Sequence, residues 1–371
     1  MATESEVSRI HTPEESQKTF GDLAIPDTLG GLEWKSMPID SLVTQFLALK
    51  GTLGGLEAQQ FMRALVSRIS GSERDLESAL GLAEAGARNA MSSVIVTALG
   101  RIPHDRAVDF LDRLSREGDP ESRLLAVLSL SQSGREPYLN VPPERLKTVT
   151  SIDPEPAYAV RDPRHGGILL GRLEQERDHK VLAHLITLLG DGQDAPRSSS
   201  PPPHEVDHEK VTKLTVEYAL HAENADVRRA ALSALQHTQA DSAIDALTRA
   251  LTSDPVAGNR SVAAISLCNL PGDDRILRSA RHAASDRDEN VRGNAAQLLT
   301  PSMWPDRRDE ILALNIDLYR REGSARVRWW YVGNLGRFGA AGRTYLQDVA
   351  TNDPDPEIRE MALRILAKNP E

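Results

Sequence analysis

One motif recurs along this chain of 371 residues. In its last copy, Asn352 to Leu366, the acidic, Pro-punctuated turn NDPDPE leads into a short amphipathic segment. Counted from Ile358, Arg stands at +1 (Arg359), Ala at +4 (Ala362) and Leu at +8 (Leu366). The same columns recur from Val227 (Arg228, Ala231, Leu235), Asn259 (Arg260, Ala263, Leu267) and Val291 (Arg292, Ala295, Leu299). From Val327 they give Arg328, Tyr331 and Leu335, with Tyr where the others have Ala. The starts lie 32, 32, 36 and 31 residues apart. Apolar residues at +4 and +8 form one helix face, and a unit this short cannot bury that face alone. Stacked neighbours can, so the period predicts an all-α fold: an α-solenoid of about ten stacked antiparallel helix pairs.

The register holds unevenly along the chain. Residues 1–37 are polar and broken by Pro13, Pro26 and Gly30-Gly31. They read as a flexible N-terminal arm, with Leu32 and Trp34 placed to dock on the first helices. Residues 38–130 read as N-terminal helices of the same kind. Met91, Ile95 and Leu99 fall in the columns, as do Ser122, Arg123, Ala126 and Leu130. Over 131–190, Pro142, Pro143, Pro154, Pro156 and Pro163 interrupt the pattern and predict an irregular helical middle. The stretch 191–208, DGQDAPRSSSPPPHEVDH, carries no apolar period and reads as a Ser/Pro-rich loop. Regular repeats resume over 209–371.

Composition fits thin helix-on-helix layers, because aromatics make up only 4% of the residues. One cysteine, Cys268, excludes an internal disulfide and a Cys-based structural zinc site. No run approaches the eighteen or so apolar residues of a membrane span, and the N-terminus shows no signal peptide, so a cytoplasmic location without membrane attachment is expected. Net charge is −10. From Leu220 onward 20 Lys+Arg stand against 21 Asp+Glu, so most of the acidity lies earlier. An acidic chain disfavours nucleic acid as a partner, because phosphate contacts need clustered cations.

The turn Asp353-Pro354-Asp355-Pro356-Glu357-Ile358-Arg359 and its cousins Asn224-Ala225-Asp226-Val227-Arg228 and Asp288-Glu289-Asn290-Val291-Arg292 resemble the HEAT-repeat superfamily. The resemblance is to the short bacterial type called phycobilisome-lyase-like. It implies a right-handed solenoid of HEAT-type pairs. It also implies that Arg123, Arg228, Arg260, Arg292, Arg328 and Arg359 form a ladder of charged hydrogen bonds between neighbouring repeats. An Arg beside each turn suits that role, since its fork of donors satisfies free carbonyls and carboxylates together.

Few residues suggest chemistry. His204-Glu205-Val206-Asp207-His208 matches the H-E-x-x-H zinc pattern, but it follows three prolines and polar residues surround it, so a chance match in a linker is the better reading. Deoxyhypusine hydroxylase, similar in fold, holds iron through repeated His-Glu pairs, which the repeat helices here lack. The HEAT-like alkylpurine DNA glycosylases place an Asp close after a Trp pair. Here Trp329-Trp330 is followed by Asn334, which carries no charge to stabilise a cationic transition state. Trp330 falls in a core column, with Ala230, Val262, Asn294 and Met361. Trp329 shares a polar column with Arg229, Ser261, Gly293 and Glu360 and is expected to be exposed, with space left beside it by Gly293. Trp329 with Arg292, Arg326, Arg328 and Arg229 is therefore the candidate partner-binding set. Arg307-Arg308 and Arg320-Arg321 read as solvated helix ends. The expected function is a non-catalytic scaffold or adaptor that binds a protein or peptide on the concave solenoid face, with no cofactor, no metal and no catalytic residues. The alternative is a HEAT-like enzyme or enzyme accessory, either DNA glycosylase-like or serving a biosynthetic cluster.

Overall fold

The computed structural model describes residues 33–49, 55–102, 104–131, 164–190 and 206–368. The arm through residue 32, residues 132–163 of the irregular middle and the Ser/Pro-rich segment through Glu205, including His204, lie outside the described residues. Among the described residues every regular element is helical. The chain divides into two compact units, Met1–Val181 with Pro196–Val206, and Leu182–Ala195 with Asp207–Glu371.

In the first unit the helices are α1 (Ile39–Leu49), α2 (Gly55–Gly71), α3 (Glu73–Ala83), α4 (Ala90–Leu99), α5 (Asp105–Glu117), α6 (Pro120–Ser131) and α7 (Arg164–Gln175). Leu42, Val43 and Phe46 line the buried side of α1, and Phe46 stacks on Phe61 of α2 with ring centroids 3.8 Å apart. Trp34 is buried before α1 begins, and its carbonyl accepts Arg68 Nη1 at 2.7 Å. Ser72 and Asn89 cap α3 and α4 by accepting the backbone N–H of Asp75 and Ser92, which supplies helix starts with acceptors they would otherwise lack. Helix α5 pairs with α6, and both contact α7.

The second unit starts within α8 (His179–Gly190) and continues as five pairs: α9 (His208–His221) with α10 (Ala225–Ala234), α11 (Asp241–Ser253) with α12 (Ala257–Leu267), α13 (Asp274–Ala283) with α14 (Glu289–Gln297), α15 (Arg308–Arg321) with α16 (Ala325–Arg337), and α17 (Ala340–Asn352) with α18 (Pro356–Lys368). The second helices α10, α12, α14, α16 and α18 pack in a row, each on the next. The sequence columns are the core of that row. Val227, Asn259, Val291, Val327 and Ile358 are buried, as are Ala231, Ala263, Ala295, Tyr331 and Ala362 at +4. Asn259 occupies an apolar column without cost because its amide donates to the Ala225 carbonyl at 3.1 Å and to Asp254 Oδ2 at 3.3 Å. His208, expected to close a loop, instead opens α9, which Asp207 caps through Lys210 N–H at 3.0 Å.

The 36-residue interval before Val327 has a physical cause. The extra residues after α14 turn the chain through Trp304, which is buried and donates from Nε1 to the Leu298 carbonyl at 2.7 Å. Asn315 of α15 donates to the Leu299 carbonyl at 2.8 Å, and Asn334 of α16 donates to the Ala296 carbonyl at 2.7 Å. Together they serve the free carbonyls at the end of α14.

Candidate docking face and the arginine ladder behind it

The turn before α18 holds two carboxylates with separate jobs. In Asp353-Pro354-Asp355, the second carboxylate caps α18, accepting Glu357 N–H at 2.8 Å. The first accepts a guanidinium from the preceding pair. Arg328 gives Nε to Asp353 Oδ2 at 2.9 Å and Nη2 to Oδ1 at 3.0 Å, while Nη1 turns back to the carbonyls of Glu322 and Gly323. Arg260 meets Asp286 in the same way at 2.7 and 2.9 Å. Arg228 meets Asp254 at 2.8 and 3.2 Å, and Arg292 meets Glu322 at 2.8 and 3.0 Å. In the first unit Arg123 meets Glu176 at 3.0 and 2.9 Å. Every one of these carboxylates also accepts the N–H two residues on: Asp178, Val256, Asp288, Ser324 or Asp355. Arg359 makes the carbonyl half of the contact, donating Nη1 to Asp353 O at 2.6 Å.

Burial alone would push the carboxyls of Glu176, Asp254, Asp286, Glu322 and Asp353 up. The guanidinium and backbone hydrogen bonds outweigh it, and each carboxyl lies below its ordinary value. At Asp353 the Tyr319 hydroxyl adds a further donor at 2.6 Å. These arginines are committed: Arg228, Arg260 and Arg328 are all less than a tenth exposed.

The candidate partner-binding set therefore separates. Arg292 and Arg328 direct their guanidinium groups into the ladder. Arg326 stays on the surface, its side chain 70% exposed, with one contact of 3.4 Å to Glu289. Arg229 is also on the surface, but it sits on α10, with α12 and α14 between it and α16. At about 9 Å per packed helix, that separation is roughly 27 Å.

Trp329 is 46% exposed, in a protein whose large apolar side chains are otherwise mostly buried. It meets Trp330 edge to face, ring centroids 5.0 Å apart and planes at 87°. The hollow at Gly293 is used by the other ring. A Cβ added at Gly293 would stand 3.1 Å from Trp330 Cδ1, so Trp330, not Trp329, fills that space. Trp330 ends half-buried rather than in the core, because it lies over the surface of α14. The pair thus has one anchored ring and one presented ring. Beside it the second helices carry hydrogen-bonded polar side chains, Asn294 to Ser261 at 2.5 Å and Gln297 to Asn294 at 2.9 Å, and past the ends of α10 and α12 Asn269 donates to Gln236 at 2.9 Å. Ile265 of α12 is the other exposed large apolar side chain near the middle of this row, at 47%.

Asn334 faces away from that surface. It is buried, and its amide donates to the Ala296 carbonyl and, at 3.0 Å, to Asn315 Oδ1. The residue in the position of a glycosylase carboxylate is thus a structural donor. Cys268 is exposed as a residue, but its sulfur lies 3.4 Å from the Ala264 carbonyl, and burial pushes the thiol up to about 11. A thiol with that pKa is protonated at neutral pH and is a poor nucleophile. Among the described residues no cluster of His, Cys, Asp and Glu could hold a metal ion, and no helix is long and apolar enough to cross a membrane.

Residues 168–268 match the family model for HEAT repeats. No curated protein sequence matches the chain. Among solved structures, the chain is similar to the Escherichia coli protein YibA, with 16% identity over 91% of this chain and 94% of that one, at a TM-score of 0.38. It is similar to Kap121p in its complex with Nup53p, with 13% identity over 89% of this chain, at a TM-score of 0.38; the match spans 40% of Kap121p. It is also similar to a TOG domain array of microtubule polymerases, with 11% identity over 90% of this chain and 83% of that one, at a TM-score of 0.36. All three TM-scores lie below 0.5.

Proposed function

We propose that this chain is a non-catalytic interaction scaffold that binds a protein or peptide on the face made by its second helices, with Trp329 as the anchor. The observation that carries the reading is the Trp pair, in which Trp330 is held over Gly293 while 46% of Trp329 faces solvent. A ring already fixed by its neighbour loses little conformational freedom when a partner covers it, which is what makes aromatic side chains effective anchors. Arg326 adds an exposed cation one helical turn away, suited to a carboxylate or aromatic group on the partner. The polar row of Ser261, Asn294 and Gln297 offers hydrogen-bonding groups to a peptide backbone beside the ring. The reading takes the chain to be a cytoplasmic adaptor of the phycobilisome-lyase-like HEAT type, following the sequence resemblance.

The test is affinity capture with the intact chain and with Trp329→Ala at matched concentration. The variant should melt at the wild-type temperature and lose the captured partner. Full capture by the variant contradicts the reading, and so does a large fall in its melting temperature, which would make Trp329 a core residue.

A further inference from the structure

Residues 298–307, ten in all, join α14 to α15, where 235–240 and 268–273 supply six each at the two preceding joins. The longer turn folds back against the shorter one before it. A Cβ added at Gly272 would stand 2.4 Å from the Met303 carbonyl oxygen and 3.2 Å from the Trp304 ring, so the two turns touch backbone to backbone. Trp304 is buried and holds the Leu298 carbonyl. The two turns line a cleft of about 790 Å³, a volume within the range of ligand sites, about 300–1,000 Å³. Because backbone contact and a buried ring fix its walls, the cleft exists before any occupant arrives. Its lining is one-sided in charge: Asp273, Asp274 and Asp306 stand against Arg307 alone. Arg307 already donates to Asp274 at 2.6 Å and to Glu310 at 2.7 and 2.9 Å. Asp273 accepts Arg275 Nε and Nη2 at 2.9 Å, but Arg275 is shared with Asp241 and Asp245 and neutralises little of the wall. Asp306 is exposed, and its carboxylate has no hydrogen bond or ion pair among the described residues. Gln297 donates Nε2 to Asn294, which leaves its Oε1 as a second acceptor without a donor. Pro271, Met303 and Pro305 add apolar surface to the lining.

We propose that this cleft receives a basic side chain, Lys or Arg, of a peptide bound on the second-helix face, with its cationic head at Asp306 and Gln297 and its alkyl stem on Met303 and the two prolines. Charge selects the occupant. An anion would meet a surplus of carboxylate, and an apolar group would cover Asp306 without replacing its water. A basic side chain offers donors to both open acceptors and lays its methylenes on the apolar lining. Position selects the source. Cys268 lies three residues beyond the exposed Ile265 of α12, and Gln297 three beyond Asn294 of α14, so each cleft residue stands one turn along from the polar row. The source of the side chain rests on the scaffold reading; the chemistry of the cleft does not.

Cys268 is the chain's single cysteine and lines the cleft, so it reports occupancy. The intact chain is alkylated with iodoacetamide at one alkaline pH while acetyl-Gly-Lys-Gly-amide is titrated in, and the rate is read by mass spectrometry. Saturable slowing is expected, with half-protection at about 1 mM or below. The Arg counterpart should protect as well. Counterparts with norleucine or Glu in place of Lys should leave the rate unchanged. Asp306→Asn, an exposed substitution, should melt as the wild type does and raise the half-protecting concentration at least about tenfold, the scale of one lost charged hydrogen bond. Saturation transfer from the chain to the peptide gives a second readout that does not depend on the thiol, and Asp306→Asn should weaken it too. Absence of binding in both readouts overturns the proposal, as does equal protection by the norleucine peptide or indifference to Asp306→Asn. Cadaverine, an ammonium on an alkyl stem without a peptide, should protect no better than the Lys peptide; tighter protection by cadaverine overturns the peptide as source. Trp329→Ala should leave protection unchanged, so the cleft and the Trp329 anchor fail separately; protection lost in that variant overturns the cleft as the site.

Discussion

Arg328 and Asp353 are joined by two parallel hydrogen bonds of 2.9 and 3.0 Å across consecutive helix pairs, with the Asp353 side chain wholly removed from solvent. The remaining Arg328 nitrogen serves carbonyls at the end of α15, and the remaining Asp353 capacity is taken by Tyr319 and the Asp355 N–H. Each partner is satisfied only while the other is present. This is the arrangement in which removing one side costs most.

Arg328→Ala is expected to destabilise the chain by about 3–5 kcal/mol, because it leaves the Asp353 carboxylate buried without its cation. The double variant Arg328→Met with Asp353→Leu should lose markedly less. Chemical denaturation of the three proteins checks this. Arg326→Ala, whose contact with Glu289 is exposed, should leave the denaturation midpoint in place.

The ladder also sets an acid limit. The five carboxyls bind a proton less readily in the fold than in the unfolded chain, where Asp and Glu titrate near about 3.9 and 4.3. A depressed folded pKa contributes stability that is complete above the unfolded pKa and disappears as pH falls through the folded one. Stability should therefore be flat from neutral pH to about 5 and fall steeply below about 4. Denaturation midpoints measured across that window check it. Asp353→Asn should be weaker at neutral pH and show a shallower fall.

Asn334→Asp tests the enzyme reading and the packing together. The Asn334 amide donates to two backbone carbonyls and to Asn315, so a carboxylate there would face three acceptors without a proton to give. A loss of at least about 3 kcal/mol is expected, with no gain of glycosylase activity. A stable Asp variant would contradict the assignment.

The glycines divide by what their absent side chains leave room for. A Cβ at Gly342 would collide with the Leu335 carbonyl, which is backbone and cannot yield locally. Gly342→Ala should cost about 2–3 kcal/mol. At Gly293 the contact is the half-buried Trp330 ring at 3.1–3.2 Å, which can tilt outward. Gly293→Ala should change tryptophan fluorescence while leaving the melt nearly unchanged, since Ala also favours the helix.

Much of this was legible in the sequence because the repeat columns repeat a physical constraint. The apolar residues at 0, +4 and +8 must face the next helix, and the Arg at +1 must sit beside the turn carbonyls. The carboxylate partners were harder to assign. Asp254, Asp286 and Asp353 lie 25 or 26 residues beyond their arginines, but Glu322 lies 30 beyond Arg292, because the Trp304 turn lengthens that interval. The position two before each helix cap is the signal that would have found them all. The Gly293 hollow, expected beside Trp329, is filled by Trp330, because residues in one column do not touch at the same height. A helical side chain leans toward the N-terminal turn of its own helix, so the ring over Gly293 comes from the next position along. The polar row of Ser261, Asn294 and Gln297 carried no sequence signal, since each residue looks like an ordinary surface position until the helices are set side by side.

The measurement that bears most directly on the scaffold reading is paired affinity capture with wild-type and Trp329→Ala chains of equal melting temperature. The predicted result is a partner protein retained by the wild type and lost by the variant, with Trp329 protected from oxidation in the complex. The same partner retained in full by Trp329→Ala would contradict it.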